Sequence, residues 1–304
     1  MERYIGLDAH TASCTLAVVG PSGRRLREHV VETCGEALVG TICSIRGQRH
    51  LCIEEGELSS WLYELLRPHV HRIVVAQAQK KAGPKSDAID AYDWAEKLRT
   101  NAITTAVYKA PQRYATLREL ARTYRMVTQD MVRAKNRLKS LYRSRGIDVR
   151  GGAIYQDLQL EALPSSARIA AQALHGEVKG LTALKAQVQQ HLLAEASRHP
   201  IASILQTAPG LGPLRVAQLV PIIVTPHRFR TARALWSYSG LGIVMRGTSD
   251  WVRLDDGSWI RAQTQQTRGL NRRRSPVLKE IFKGAATTVC AQQPGSTPLR
   301  DSYQ

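Results

Sequence analysis

The sequence predicts an α/β layer over roughly the first hundred residues, then a long helical segment, then a mostly helical C-terminal part. Three observations carry this. Short apolar runs with period-two or continuous patterning come first and then alternate with helical stretches. From Leu117 to Leu141 apolar residues recur in steps of three and four without a slip. Beyond Pro200, two helical patterns flank the Gly-rich turn Pro209-Gly210-Leu211-Gly212-Pro213.

In chain order, residues 3–9, 13–19 and 24–31 read as strands, with Pro21-Ser22-Gly23 turning between the second and third. Residues 35–46 read as a helix, 50–54 and 71–76 as buried strands, and 58–67 and 87–99 as helices. Gly83-Pro84 breaks the chain before Ser86, a suitable N-cap for a helix beginning at Asp87. Strands first and then alternating strand and helix matches a ribonuclease-H-like α/β layer, in which the first and fourth strands lie side by side. The heptad seam predicts a helical coiled coil, and Leu174, Val178, Leu181, Leu184, Val188 and Leu192 supply a returning helix. The seam can close within one chain or between chains, and a homo-oligomer is the expectation. The turn at Gly210 reads as a helix–hairpin–helix whose N–H groups suit a phosphate, against the plainer reading of a turn alone. The expected division is 1–105, 106–198 and 199–304.

The 304 residues carry 43 Lys and Arg against 25 Asp and Glu, a formal charge of +18. Residues 1–100 hold 13 of each sign, so the whole excess lies beyond residue 100. A basic surface of that size suits a polyanion, with affinity dominated by phosphate contacts. Basic residues interleave with Trp236, Tyr238, Trp251 and Trp259, which suits base stacking, although such aromatics are more often core. No apolar run reaches membrane-spanning length, so no membrane is expected. Five cysteines without paired zinc spacing read as free thiols of a reducing cytoplasm.

The chemistry is carried by four carboxylates. Asp8 closes the run Tyr4-Ile5-Gly6-Leu7-Asp8, and Glu54 closes His50-Leu51-Cys52-Ile53-Glu54. Asp87 and Asp90 stand three apart, on one face of a helical turn. Carboxylates gathered at strand ends repel one another and resist desolvation unless a cation lies between them. Two divalent cations held by oxygen ligands would do that, and they would clamp both oxygens of a phosphodiester. A metal-dependent nucleic-acid strand-cutting site is the expectation.

With these residues in place, the chain resembles the DEDD-type transposases of bacterial insertion sequences, the IS-one-ten and IS-eleven-eleven group. The matching elements are Ile5-Gly6-Leu7-Asp8, Cys52-Ile53-Glu54, Lys85-Ser86-Asp87-Ala88-Ile89-Asp90-Ala91, Pro209-Gly210-Leu211-Gly212, Arg228-Phe229 and Leu235-Trp236-Ser237-Tyr238-Ser239-Gly240-Leu241. The resemblance implies a RuvC-like catalytic domain, a coiled coil and a C-terminal serine transposase domain. It implies recombination of DNA at element ends and target, guided in some members by a bridge RNA. It maps the acidic tetrad onto Asp8, Glu54, Asp87 and Asp90 with Mg²⁺ as the metal, Asp93 being a weaker fifth candidate. Its nucleophilic serine corresponds to Ser249 if one residue is inserted after Gly240-Leu241, and to Thr248 without a gap. Asp250 stands where the family has Gly. The family pattern continues past a Leu-Arg-X-X-Tyr element, whereas this chain stops at Leu299-Arg300-Asp301-Ser302-Tyr303-Gln304, so a truncated, inactive copy that only binds nucleic acid is the alternative. The run Gly6-Leu7-Asp8-Ala9-His10-Thr11 also resembles the first phosphate loop of actin-like phosphotransferases, but His10 stands where that loop takes Gly, and no second loop of that kind follows.

Overall fold

A computed structural model describes residues 1–77, 86–247, 251–261, 265–271 and 274–292. The chain divides into two units, Met1–Gln112 and Arg113–Gln304.

The first unit is built on one five-stranded sheet. β1 (Glu2–Ala9), β2 (Ser13–Val19) and β3 (Arg25–Glu32) run as an antiparallel meander; α1 (Gly35–Ser44) leads into β4 (Gln48–Glu54), and α2 (Ser59–Leu66) into β5 (Arg72–Ala76), before α3 (Asp87–Arg99). The strand order is β3-β2-β1-β4-β5, with β1, β4 and β5 parallel. The turn between β2 and β3 closes through Gly23, whose φ of 85° only glycine adopts without strain. Backbone bonds from Val107 to Val75 (2.7 Å) and from Gln77 to Thr105 (3.1 Å) cover the free edge of β5.

Period-two alternation sorts this sheet into two faces. Ile5, Leu7, Leu51, Ile53 and Val75 point into one core with Leu38 and Ile42 of α1 and Leu62 and Leu66 of α2. Cys52 and Ala76 point to the other face, under Trp94 and Leu98 of α3. β4 therefore has both faces covered and reads as a continuous apolar run. Burial pushes the Cys52 thiol up to about 12, which leaves it inert. Gly6 makes the α3 layer possible. A Cβ there would stand 1.9 Å from the Ala91 carbonyl oxygen and 2.7 Å from the Ala95 nitrogen. The helix backbone lies directly on the strand.

In the second unit, α4 (Ala115–Arg143) and α5 (Ser165–Ser197) pack antiparallel. Leu117, Ala121 and Tyr124 at the start of α4 meet Val188, Leu192 and Ala196 at the end of α5, while Leu138 and Tyr142 meet Ala167 and Ala171. The predicted seam is followed with two changes. Ala121 and Tyr142 are the buried members where Leu120 and Leu141 stand in the heptad pattern, and Leu184 of the returning series is exposed. Steps of four, from Leu117 to Ala121 and from Leu138 to Tyr142, replace steps of three at these two places, and either step keeps a side chain on the same face of a helix with 3.6 residues per turn.

α6 (Ile201–Gln206) and α7 (Pro213–Ile223) flank the Gly-rich turn, and α8 (Ala232–Tyr238) follows, capped by the Thr231 hydroxyl accepting from the Ala234 N–H. Gly210, at φ 73°, touches another helix: a Cβ there would stand 2.5 Å from the Ala285 carbonyl of α9 (Pro276–Gln292). Packing on α9 thus accounts for this glycine.

To the helices of the C-terminal part the structure adds two short ribbons that the sequence reading did not include. β6 (Ile243–Gly247) pairs with β9 (Gln265–Leu270), and β7 (Trp251–Arg253) pairs with β8 (Trp259–Arg261). The missed signal was a hairpin: β-branched and aromatic residues on both sides of Asp255-Asp256-Gly257-Ser258.

Candidate active site

The parallel pairing of β1 and β4 sets Gly6 beside Cys52 and Leu7 beside Ile53, which carries Asp8 to the side of Glu54. Asp8 follows Gly6 by two and Glu54 follows Cys52 by two, so both belong to the sheet face that α3 covers. The buried stripe of α3 runs through Ala91, Trp94, Ala95 and Leu98. Asp87 lies four residues before Ala91, and Asp90 four before Trp94, so both continue that stripe past the end of the sheet. They also occupy the first turn, where a helix N-terminus favours negative charge. Ser86 takes the N-cap position with extended backbone, but its side chain makes no capping bond.

Asp8, Glu54, Asp87 and Asp90 line one cleft of about 420 Å³. Trp94, itself buried, donates its indole N–H to Glu54 Oε2 at 3.1 Å and fixes that carboxylate. Glu55 is held by Lys109, whose Nζ lies 3.2 Å from Glu55 Oε1 and 2.9 Å from Ser59 Oγ. Asp93 forms an ion pair with Lys97 at 2.8 Å. Glu55 and Asp93, acids adjacent to the tetrad, are thus engaged by lysines.

Burial holds the Asp8 carboxyl above the usual carboxylate range; His10 opposes this, and Asp87, Glu54 and Asp90 add to it. His10 is the residue that sequence reasoning missed as a member of the site. Its Nε2 lies 3.5 Å from Asp8 Oδ2 and 3.3 Å from Asp87 Oδ1. One ligand atom from each of Asp8, His10 and Asp87 falls within 4.8 Å of the others. The available signal was its place two residues beyond a strand-end aspartate, the spacing that returns a side chain to the same face.

A family model described as a transposase, of the DEDD type of the IS110 elements, matches residues 5–144. A second, described as the transposase IS116/IS110/IS902 family, matches residues 202–270. The two matches fall in the expected order and together span more than half of the chain. The chain belongs to the IS110-family DEDD transposases. No curated protein matches it. The chain is a DNA transposase of insertion-sequence type, and its family implies divalent metal use and DNA binding. Among the described residues of this transposase, no helix is long and apolar enough to cross a membrane.

Ser249 and Thr248 lie outside the described residues. The tracts around them fold together. Asn271 Nδ2 donates to the Ser237 carbonyl (3.1 Å) and hydroxyl (2.8 Å), and the Ser275 N–H donates to the Tyr238 carbonyl (2.8 Å). The aromatics of this region are not core. Trp236, Trp251 and Trp259 are 59%, 56% and 59% exposed. In the β7–β8 ribbon Arg253 pairs with Trp259, and Trp251 lies two residues from Arg253, so both tryptophans and Arg253 share one face. Arg228 stacks on Phe229 and Tyr238 at 4.6 and 4.9 Å.

Proposed function

We propose that this transposase cuts and joins DNA strands at a cleft in which Asp8, Glu54, Asp87 and Asp90 hold Mg²⁺. The observation that carries the reading is the convergence of four carboxylates, from two adjacent strand ends and one helix, on a single cleft. The donor set fits a hard divalent cation: its contacts are carboxylate oxygens, and Asp8 is desolvated among other acids with too little positive charge to neutralise it. A cation bound there supplies Lewis-acid polarisation of a phosphodiester oxygen. Asp87 and Asp90, on one helical stripe, orient toward the strand ends, while Trp94 keeps Glu54 from turning away.

Ser249 is the nucleophile in this reading, with Thr248 as the alternative. A serine hydroxyl needs activation before it attacks phosphorus. The exposed tryptophans and arginines of the C-terminal tract suit backbone contacts and stacking on unpaired bases. They support DNA as substrate and are compatible with a guiding bridge RNA. We further propose a homo-oligomer working in the cytoplasm, a coiled coil formed by α4 and α5, a helix–hairpin–helix at the Gly210 turn, and a functional division at 1–105, 106–198 and 199–304.

The test is a trapped protein–DNA adduct formed on element-end DNA in Mg²⁺ and mapped by peptide mass spectrometry. The adduct is expected on Ser249, with Ser249→Ala losing strand exchange but not DNA binding. An adduct on Thr248 would move the assignment, and Asp8→Asn retaining full strand exchange would overturn the metal reading.

A further inference from the structure

His10 is placed to be more than a neighbour of the acidic cleft. Its main chain is fixed at both polar groups: the N–H donates to the Ser13 carbonyl at 3.0 Å, and the carbonyl accepts from the Thr33 hydroxyl at 2.7 Å. The ring therefore leaves a pinned turn between β1 and β2 rather than a loose loop. From there Nε2 reaches both carboxylates at once, 3.5 Å from Asp8 Oδ2 and 3.3 Å from Asp87 Oδ1. Neighbouring ligand atoms around a six-coordinate ion at about 2.1 Å stand about 3 Å apart. These three atoms need little movement to share one cation. The side chain is 56% exposed, so the ring sits at the cleft mouth.

We propose that His10 is a nitrogen ligand of the divalent cation held between Asp8 and Asp87, and that it biases this cleft toward Mn²⁺ and other first-row metals relative to Mg²⁺. The proposal rests on the metal reading above. Carboxylates alone suit Mg²⁺, Ca²⁺ and Mn²⁺, whereas an imidazole raises affinity for first-row transition ions far more than for Mg²⁺. An imidazole that merely bridged two carboxylates as a cation would be displaced when metal enters.

The experiment uses the full chain loaded with Mn²⁺ and read by pulsed electron paramagnetic resonance. Wild-type protein is expected to show the nitrogen coupling of a directly bound imidazole, and His10→Gln to lose it while still binding Mn²⁺. His10→Ala is expected to weaken Mn²⁺ about tenfold and Mg²⁺ much less. Bound Mn²⁺ with no nitrogen coupling in wild type, or coupling that persists in His10→Gln, would overturn the proposal and leave the acidic-cleft reading standing. Mn²⁺ binding that is absent, or indifferent to Asp8→Asn, would overturn both. The exposed ring contributes little to the core, so both variants are expected to fold, and unchanged far-ultraviolet circular dichroism checks it.

Discussion

Asp8 is a side chain whose charge the fold disfavours. Its pKa is raised first by burial, with three other carboxylates adding and His10 offsetting. An acid whose folded pKa exceeds its unfolded value binds its proton more readily in the folded state. Metal-free stability therefore falls as pH rises from the ordinary value of 3.8 through the raised one, and the loss is complete only above the raised one. Asp8→Asn removes that burden. Calorimetry without metal at pH 7 is expected to show a higher Tm for the variant. An unchanged or lower Tm would contradict the account. Trp94 acts on Glu54 through one hydrogen bond. Trp94→Phe keeps an aromatic ring in the core and loses the N–H. Mn²⁺ affinity is expected to fall about 10–100-fold in equilibrium titration with the fold retained. At this scale the gathering of the four acids in one cleft was legible in the sequence because each acid follows a recognisable local signal, a strand end or a helix start. The spacing of His10 from Asp8 was a signal, but its approach to Asp87 depends on where the α3 N-terminus comes to rest.

At the scale of elements, the first unit was legible nearly to the residue. Its strands are apolar on alternate positions or throughout, and its turns carry Gly and Pro, so local chemistry and tertiary burial agree. The C-terminal ribbons were hidden for the opposite reason. Trp251, Val252, Trp259 and Ile260 are all exposed, so no core imposes a one-sided pattern that sequence reading recognises. The decisive contact between elements is Gly6 against α3. Gly6→Ala drives a Cβ into helix backbone, and α3 must withdraw with Asp87 and Asp90. Overpacking of this kind costs about 1–3 kcal/mol. Gly6→Ala is expected to lower Tm and weaken Mn²⁺ binding together. Gly40→Ala, in α1 with open space around its Cβ, is expected to leave binding intact and stabilise by about 0.5–1 kcal/mol. Equal behaviour of the two variants in thermal melts and Mn²⁺ titrations would refute the role given to Gly6.

Over the whole molecule, the acidic cleft and the excess positive charge are separated along the chain. The acidic cleft belongs to the charge-balanced first hundred residues, and the +18 lies beyond them. Affinity for DNA is therefore expected to come from the second unit. A plot of log affinity against log salt should fall steeply for the full chain, and fragment Met1–Gln112 should bind weakly. Salt-insensitive binding by that fragment, measured by fluorescence anisotropy, would contradict this. Charge asymmetry is legible in any sequence, but the partition into two units was not. The cluster joining Tyr114, Leu117 and Leu192 to Val216 and Val220 ties the long hairpin to α7, and such contacts leave no periodic trace.

We propose that Asp8, Glu54, Asp87 and Asp90 form one divalent-cation site. Anomalous diffraction from crystals of the full chain soaked in Mn²⁺ tests it most directly. A manganese peak within ligand distance of Asp8 and at least one of Asp87 and Asp90 is the expected result. Full occupancy elsewhere, with no peak in that cleft at saturating Mn²⁺, would contradict it.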